Sequence, residues 1–556
     1  MPIQLKTYIR SLALLFLAIN SCHHPTSSNL IKSWTAYDES AQLAKNGSHQ
    51  NSRMQYKLIQ SKFLDKQAVL DDINKQLGNF SNEDYQRLKD KVYEQSILEI
   101  RNHIYTDQLT YEELTKWYLF RIRKYEFDST STLNAIISIN PNAVVQARFA
   151  DKNRSKTTHP IYGIPVILKD NINSEDVPTT AGALILKNNQ TKNAFIVDKM
   201  RENGAIILAK ANLSEWAYFF CAGCPVGYSA MGGQSLNPYG RHEIETGGSS
   251  SGSAIAVAAN YATVAIGTET SGSILSPSGK NGVVGLKPTV GLLSRSGIIP
   301  ISEILDTPGP ITKSTIDNAI VLSAMEGVDE TDAATLQRPS NTNYWKQIPN
   351  CGGLAGLRIG VNKAYTKDTC YLRAIQWLKN FGVEVIEFKT PKLRFMNFRT
   401  LLVADMKRSI PKYFKNYGHP DLKDLTVSKI LDFNNDGKNR APYGQVHFEA
   451  ISKDETSDLE LRNIADSLEF NCKNYYQGIM DKNNLDAILS KDNWDAAFAA
   501  AAKFPALGTP IGFESDGSPT NATFIARPYQ EQLLIRIGWA FEEAVRARKP
   551  PALYNF

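Results

Sequence analysis

Apolar and polar positions change period along the chain. From Thr132 onward, short apolar runs at 135–139, 164–168 and 205–209 read as strands, and the stretches 142–151 and 195–204 between them carry helical spacing. Alternation of this kind predicts an α/β fold, a mixed central β-sheet covered by helices on both faces. Upstream, the region 54–104 reads as helical: Tyr93, Ile97, Ile100 and Ile104 recur at four- and three-residue steps, on one helix face. Thr110 with Glu113 three residues later predicts a capped helix start. No internal repeat or low-complexity tract interrupts the pattern.

The first 22 residues follow a different logic. Lys6 and Arg10 precede an apolar run over 12–19. That run is shorter than the roughly 20 residues a membrane-spanning helix needs, and the layout is that of a secretory signal peptide. Its end, Ile19-Asn-Ser-Cys22, resembles a bacterial lipoprotein box. The expectation is cleavage before Cys22, lipidation of that residue, and a membrane anchor. With His23 in place of an aspartate after the cysteine, the expected location is the periplasmic side of a Gram-negative outer membrane. An ordinary signal peptide with an incidental cysteine is the alternative. Residues 23–50 are polar and read as a flexible tether, and 51–97 as an N-terminal helical extension.

One stretch concentrates the chemistry. Residues 246–277 read TGGSSSGSAIAVAANYATVAIGTETSGSILSP, two knots of Gly and Ser around a small apolar run. Glycine permits close approach of neighbouring backbone, so the stretch predicts a tight loop, a short buried helix near 253–260, a strand through 263–267 and a second tight turn. A linker is excluded because the run between the knots is patterned as core. A serine nucleophile needs a base within reach. No histidine is suitably placed and there is no G-x-S-x-G elbow. Lys169, at the end of the apolar run GIPVILK, is a candidate. From position alone it is either a buried base or a lysine snorkelling to water.

GIPVILKDNI, GGSSSGSA and GTETSGSI, in this order, resemble the amidase signature family, closest to its peptide-amidase-like subgroup. GAIILAKANLSEWA, GGQSLNPYG and the stretch 281–310 support the likeness, which spans about 98–550 and implies one large catalytic domain there. The resemblance implies a triad of Lys169, Ser249 and the nucleophile Ser273, with a cis peptide bond before Ser249. It also implies an oxyanion hole of backbone N–H groups at Thr270, Ser271, Gly272 and Ser273. Ser271 departs from the family's usual residue beside the nucleophile, which bears on substrate preference. The implied activity is hydrolysis of a linear carboxamide, a peptide amide or small amide, through an acyl-enzyme and without cofactor or metal. The alternatives are a catalytically silent binding lipoprotein and an amidotransferase A-type subunit; an export signal argues against the second.

Composition narrows the partners. The 556 residues are 42% hydrophobic, enough for a large core, and 62 basic against 56 acidic residues leave a net charge of +6. Interspersed as they are, these charges are no nucleic-acid footprint. Cys221-Ala-Gly-Cys224 lacks a second ligand pair for zinc and is compatible with a disulfide in an oxidising compartment. Residues 432–437 match the opening of an EF-hand loop, but position twelve is Tyr443 in place of glutamate, which predicts a surface turn.

Overall fold

The computed structural model describes residues 33–155, 158–340, 342–348 and 352–555. The stretch expected as a signal peptide, with Cys22, lies outside these residues. Among those described, the strands in chain order are β1 (Ile136–Ile139), β2 (Pro165–Lys169), β3 (Ile206–Ala211), β4 (Tyr228–Ser229), β5 (Gly233–Gln234), β6 (Val264–Glu269) and β7 (Val284–Lys287). They continue with β8 (Thr307–Thr312), β9 (Arg358–Asn362), β10 (Glu384–Phe388), β11 (Ala487–Lys491), β12 (Ala506–Phe513) and β13 (Pro519–Ile525). Eleven of them form one mixed sheet in the order β1-β3-β2-β6-β8-β7-β12-β13-β11-β9-β10, while β4 and β5 pair separately. The α/β expectation holds.

The sheet's local parallel segment positions the site. β2 runs parallel to both β3 and β6. Strands covered on both faces need near-continuous apolar runs, and every residue of β2, β3 and β6 is buried. A parallel neighbour requires a crossover. Helix Phe195–Glu202 leads into β3 and helix Ser251–Ala258 leads into β6. The second of these, SGSAIAVA, is buried along its whole length. Its small side chains let it sit against β2, β6 and β8.

The expected start of the helix after Thr110 is present. In helix Tyr111–Glu126 the Thr110 hydroxyl accepts the Glu113 N–H at 3.0 Å, and the Glu113 carboxylate accepts the Thr110 N–H at 3.0 Å. Three other expectations need correction. The apolar spacing from Tyr93 to Ile104 does not lie on one helix: Ile97, Ile100 and Ile104 belong to helix Ile97–Tyr105, while helix Lys89–Val92 ends just before Tyr93. Ser96 begins a new helix with its own capping box to Glu99, and Tyr93 sits in the extended link between them. Residues 432–437 are no isolated turn. Most of that stretch belongs to helix Val427–Asn435, whose Ile430 and Asn434 are buried, and Asp436 ends it.

Residues 33–50, expected as a tether, are packed where described. Helix Ser40–Gly47 follows a buried Glu39, whose carboxylate accepts the Gln60 N–H at 2.7 Å, and the Asn46 amide donates to the His242 carbonyl at 3.2 Å. Residues 51–97 share the central core: Met54, Ile59, Leu70, Ile73, Tyr85 and Leu88 belong to the same buried cluster as Ile167, Leu208 and Ile266.

Candidate active site

Register brings Lys169 to its partners. Val166, Ile167 and Leu168 of β2 face Val264, Ala265 and Ile266 of β6. Lys169 therefore emerges at the carboxyl end of β2 next to Thr268, at the edge where open parallel segments place their ligands. Its side chain is fully buried. Nζ lies 2.8 Å from Ser249 Oγ, 2.7 Å from Thr268 Oγ1 and 3.1 Å from the Thr268 carbonyl oxygen. Asn171 holds Thr268 in turn: its amide donates to Thr268 Oγ1 at 3.1 Å, and its carbonyl oxygen accepts from the same hydroxyl at 3.4 Å.

Ser249 stands in the tight loop before helix Ser251–Ala258, and the peptide bond from Gly248 is cis. The loop is crowded. A Cβ on Gly247, at φ +63°, would lie 2.7 Å from the Ser276 carbonyl oxygen; one on Gly248 would lie 2.5 Å from Val226 Cγ1. Only glycine fits at these two positions. The Ser249 carbonyl accepts the Ser214 N–H at 3.1 Å, and the Ser250 N–H donates to the Ser273 carbonyl at 3.1 Å, so the two serine loops are tied together by backbone.

Ser273 follows Gly272, at φ +88°, in the turn after β6. Among the described residues its hydroxyl makes no hydrogen bond, and it lines a cavity of about 230 Å³. The backbone N–H groups of Thr270, Ser271, Gly272 and Ser273 likewise donate to no described group. The turn is held from both sides. Glu269 Oε2 accepts the Ile274 and Leu275 N–H groups at 2.7 and 3.0 Å. Asp306 accepts from the Thr270 hydroxyl at 2.5 Å and from the Ile301 and Ser302 N–H groups at 2.8 and 3.0 Å.

Burial decides the electrostatics. It pushes the Lys169 amine down to about 7, against the pull of the Asp306 and Glu269 charges in the other direction. Burial raises the Asp306 carboxyl to about 6, opposed first by the Thr270 hydroxyl and then by the two N–H groups. A pKa lowered to about 7 leaves a sizeable neutral fraction of Lys169 near pH 7, a form able to take a proton.

The structure brings Lys169, Ser249 and the 270–273 turn to one place. Thr268 and Asn171 are not signalled by the sequence, because a threonine in a strand and an asparagine after one are ordinary there. The cavity wall also includes Tyr218 and Phe219 from the segment beside a Cys221–Cys224 disulfide. Trp216, Ala217 and Tyr218 there all hold positive φ. A grouping that could bind a cation, Asp368 with Cys370 and Glu514, does not line this cavity, and the Lys491 ammonium already bridges its two carboxylates.

The geometry can be set beside known proteins. The amidase family profile matches residues 113–498. A probable amidase of Arabidopsis thaliana is 35% identical over 83% of this chain and 92% of its own length. The A-type subunit of the glutamyl-tRNA(Gln) amidotransferase of Thermoanaerobacter pseudethanolicus is 31% identical over 83% of this chain and 98% of its own. Among solved structures, an amidase family protein from Bacillus anthracis superposes with a TM-score of 0.84 at 35% identity, covering 89% of this chain and 99% of that one. The peptide amidase of Stenotrophomonas maltophilia does so with a TM-score of 0.75 at 34% identity, covering 83% and 98%. By sequence and by fold, this chain belongs to the amidase signature family.

Proposed function

We propose that the protein hydrolyses a linear carboxamide, with Ser273 as nucleophile, Ser249 as proton relay and Lys169 as base. One observation carries this reading: a fully buried lysine, lowered to about 7, sits 2.8 Å from the Ser249 hydroxyl. A neutral amine has two N–H donors and one lone pair. The Thr268 carbonyl can only accept, and the Thr268 hydroxyl gives its proton to Asn171 and so accepts from Lys169. Both donors are then engaged, and the lone pair is left for the Ser249 O–H.

In the forward step Ser273 Oγ bonds to the amide carbonyl carbon as its proton passes to Ser249, whose own proton passes to Lys169. The oxyanion takes hydrogen bonds from the unclaimed N–H groups of the 270–273 turn. Collapse breaks the C–N bond, the relay returns the proton to nitrogen, and ammonia or an amine leaves. Water then attacks the acyl-enzyme through the same relay and releases the acid. The peptide amidase among the structural neighbours supports peptide amides as the substrate class.

The test is release of ammonia or amine from peptide amides, fatty amides, aryl amides and glutamine. Native protein is compared with Ser273→Ala and Lys169→Ala, each expected to lower kcat/KM by a factor of about 10³ or more. Turnover that survives both substitutions overturns the mechanism. Absence of turnover, with no labelling of Ser273 by a fluorophosphonate, favours a silent binding protein. Export with lipidation at Cys22 belongs to the same proposal and is checked by radiolabelled palmitate incorporation into native protein but not Cys22→Ala.

A further inference from the structure

The cavity over Ser273 carries two charged side chains, Arg53 and Glu245. Neither belongs to the relay. Arg53 is supplied from outside the matched residues 113–498, by the 3-10 turn Ser52–Met54. That turn is fixed. The Asn51 side chain accepts the Arg53 N–H at 3.0 Å, and Met54 is buried in the core. Asn51 also donates to Glu245 Oε2 at 2.9 Å, so one residue orients both members of the charged pair.

The pair presents its cation outward. Arg53 Nε lies 3.3 Å from Glu245 Oε2, a long contact, and the carboxylate is the more hidden partner, 13% exposed against 46% for the arginine. The Tyr218 hydroxyl hydrogen-bonds to the arginine side chain, the terminal nitrogens meet no described carboxylate or carbonyl, and Arg53 is the cavity's one cation among the described residues. Around it the wall mixes apolar side chains, among them Phe219, Val226 and Leu402, with hydroxyl groups and Asn493. A planar fork that keeps N–H donors beyond those facing Glu245 and Tyr218 matches a carboxylate. Glu245 keeps its Asn51 hydrogen bond if the arginine turns to a ligand.

We propose that Arg53 is a specificity residue that selects amides carrying a second, anionic carboxylate remote from the scissile bond. Half-amides of dicarboxylic acids and amides of acidic peptides are the substrate class. The proposal rests on the amidase reading for its consequence in turnover, but not for its binding test.

The experiment has two arms. In the first, the ω-amido acids succinamate, glutaramate and adipamate are compared with uncharged butyramide, pentanamide and hexanamide as substrates of native protein, Arg53→Ala and Arg53→Lys. Arg53→Ala is expected to raise KM for the best ω-amido acid about 10- to 100-fold more than for its uncharged partner. Arg53→Lys should recover part of that gap, since it restores charge without the fork. Equal effects on charged and uncharged members overturn the proposal.

In the second arm, glutaramate and pentanamide binding to Ser273→Ala protein is measured by calorimetry, with and without Arg53→Ala. Preference for glutaramate that vanishes with the arginine supports the proposal even if no amide is turned over. Failure of catalysis is thereby separated from failure of recognition. No preference in the Arg53-containing protein sinks it. Glu245→Gln supplies a further check: with the competing carboxylate neutralised, glutaramate affinity should rise, and a fall would count against the assignment.

Discussion

Lys169 is the residue on which pH acts. In the proposed mechanism its neutral form is the active one, so kcat/KM should rise with pH to about 7 and level off above it. The same shift bears on stability. In the unfolded chain the amine titrates near 10.5, in the folded protein near 7, so between those values the unfolded state binds more protons and stability rises with pH. Below about 7 the amine is protonated in both states and the burial penalty is present in full. Replacing it by Lys169→Met removes a titration without restoring the lost hydrogen bonds. The difference in Tm between Lys169→Met and native protein should therefore move in favour of native protein as pH rises from 7 to 10. A pH-independent difference would show that the amine is not depressed. At this scale the sequence is partly legible. Lys169 and the two serines stand in short motifs whose glycines enforce tight loops. Thr268 does not stand out, because only the β2–β6 register carries it to the lysine.

In the proposed mechanism the element that shapes the chemistry is the turn after β6, and two buried carboxylates hold its geometry. Glu269 caps the start of helix Leu275–Lys280 by accepting two N–H groups, while Asp306, from the segment leading into β8, grips Thr270. Asp306→Asn tests this arrangement. The amide keeps one accepting oxygen where the carboxylate meets three donors, leaving a buried N–H or hydroxyl unpaired at a cost of about 1–3 kcal/mol. The substitution also removes a negative charge that holds Lys169 up, so the rising limb of kcat/KM should shift to lower pH as kcat falls. An unmoved limb with normal kcat would mean that the carboxylate neither shapes the turn nor reaches the amine. Asp306 is invisible to sequence reasoning because its partners lie 4, 5 and 36 residues away and follow no local motif. The apolar runs of β2, β3 and β6 are legible, since strands buried on both faces leave an unbroken signal. The 93–104 helix is misread for the complementary reason: a capping box at Ser96 restarts a helix without breaking the apolar spacing.

At the scale of the whole molecule, the N-terminal segment is part of the fold and of the cavity. Gln234 donates to the Ile59 carbonyl at 2.8 Å, the Asn134 amide to the same oxygen at 3.1 Å, and Lys57 to the Tyr443 hydroxyl at 2.7 Å. The approach is close: a Cβ on Gly233, at φ +73°, would come within 2.4 Å of the Ile59 oxygen. Met54, Tyr56 and Ile59 are buried with the central core. Each fully buried side chain of this size contributes about 1.5–3 kcal/mol, against about 5–15 kcal/mol for a whole domain. A chain beginning at Asp65 should therefore melt well below one beginning at Ser33, or fail to fold, whereas polar composition alone reads the stretch before 51 as a tether. Thermal melts and kcat/KM on an uncharged amide decide the matter. If the chain from Asp65 melts with the longer one, the segment is an appendage. If it melts lower yet folds, loss of activity on ω-amido acids beyond that on uncharged amides would follow, because the turn carrying Arg53 leaves with it.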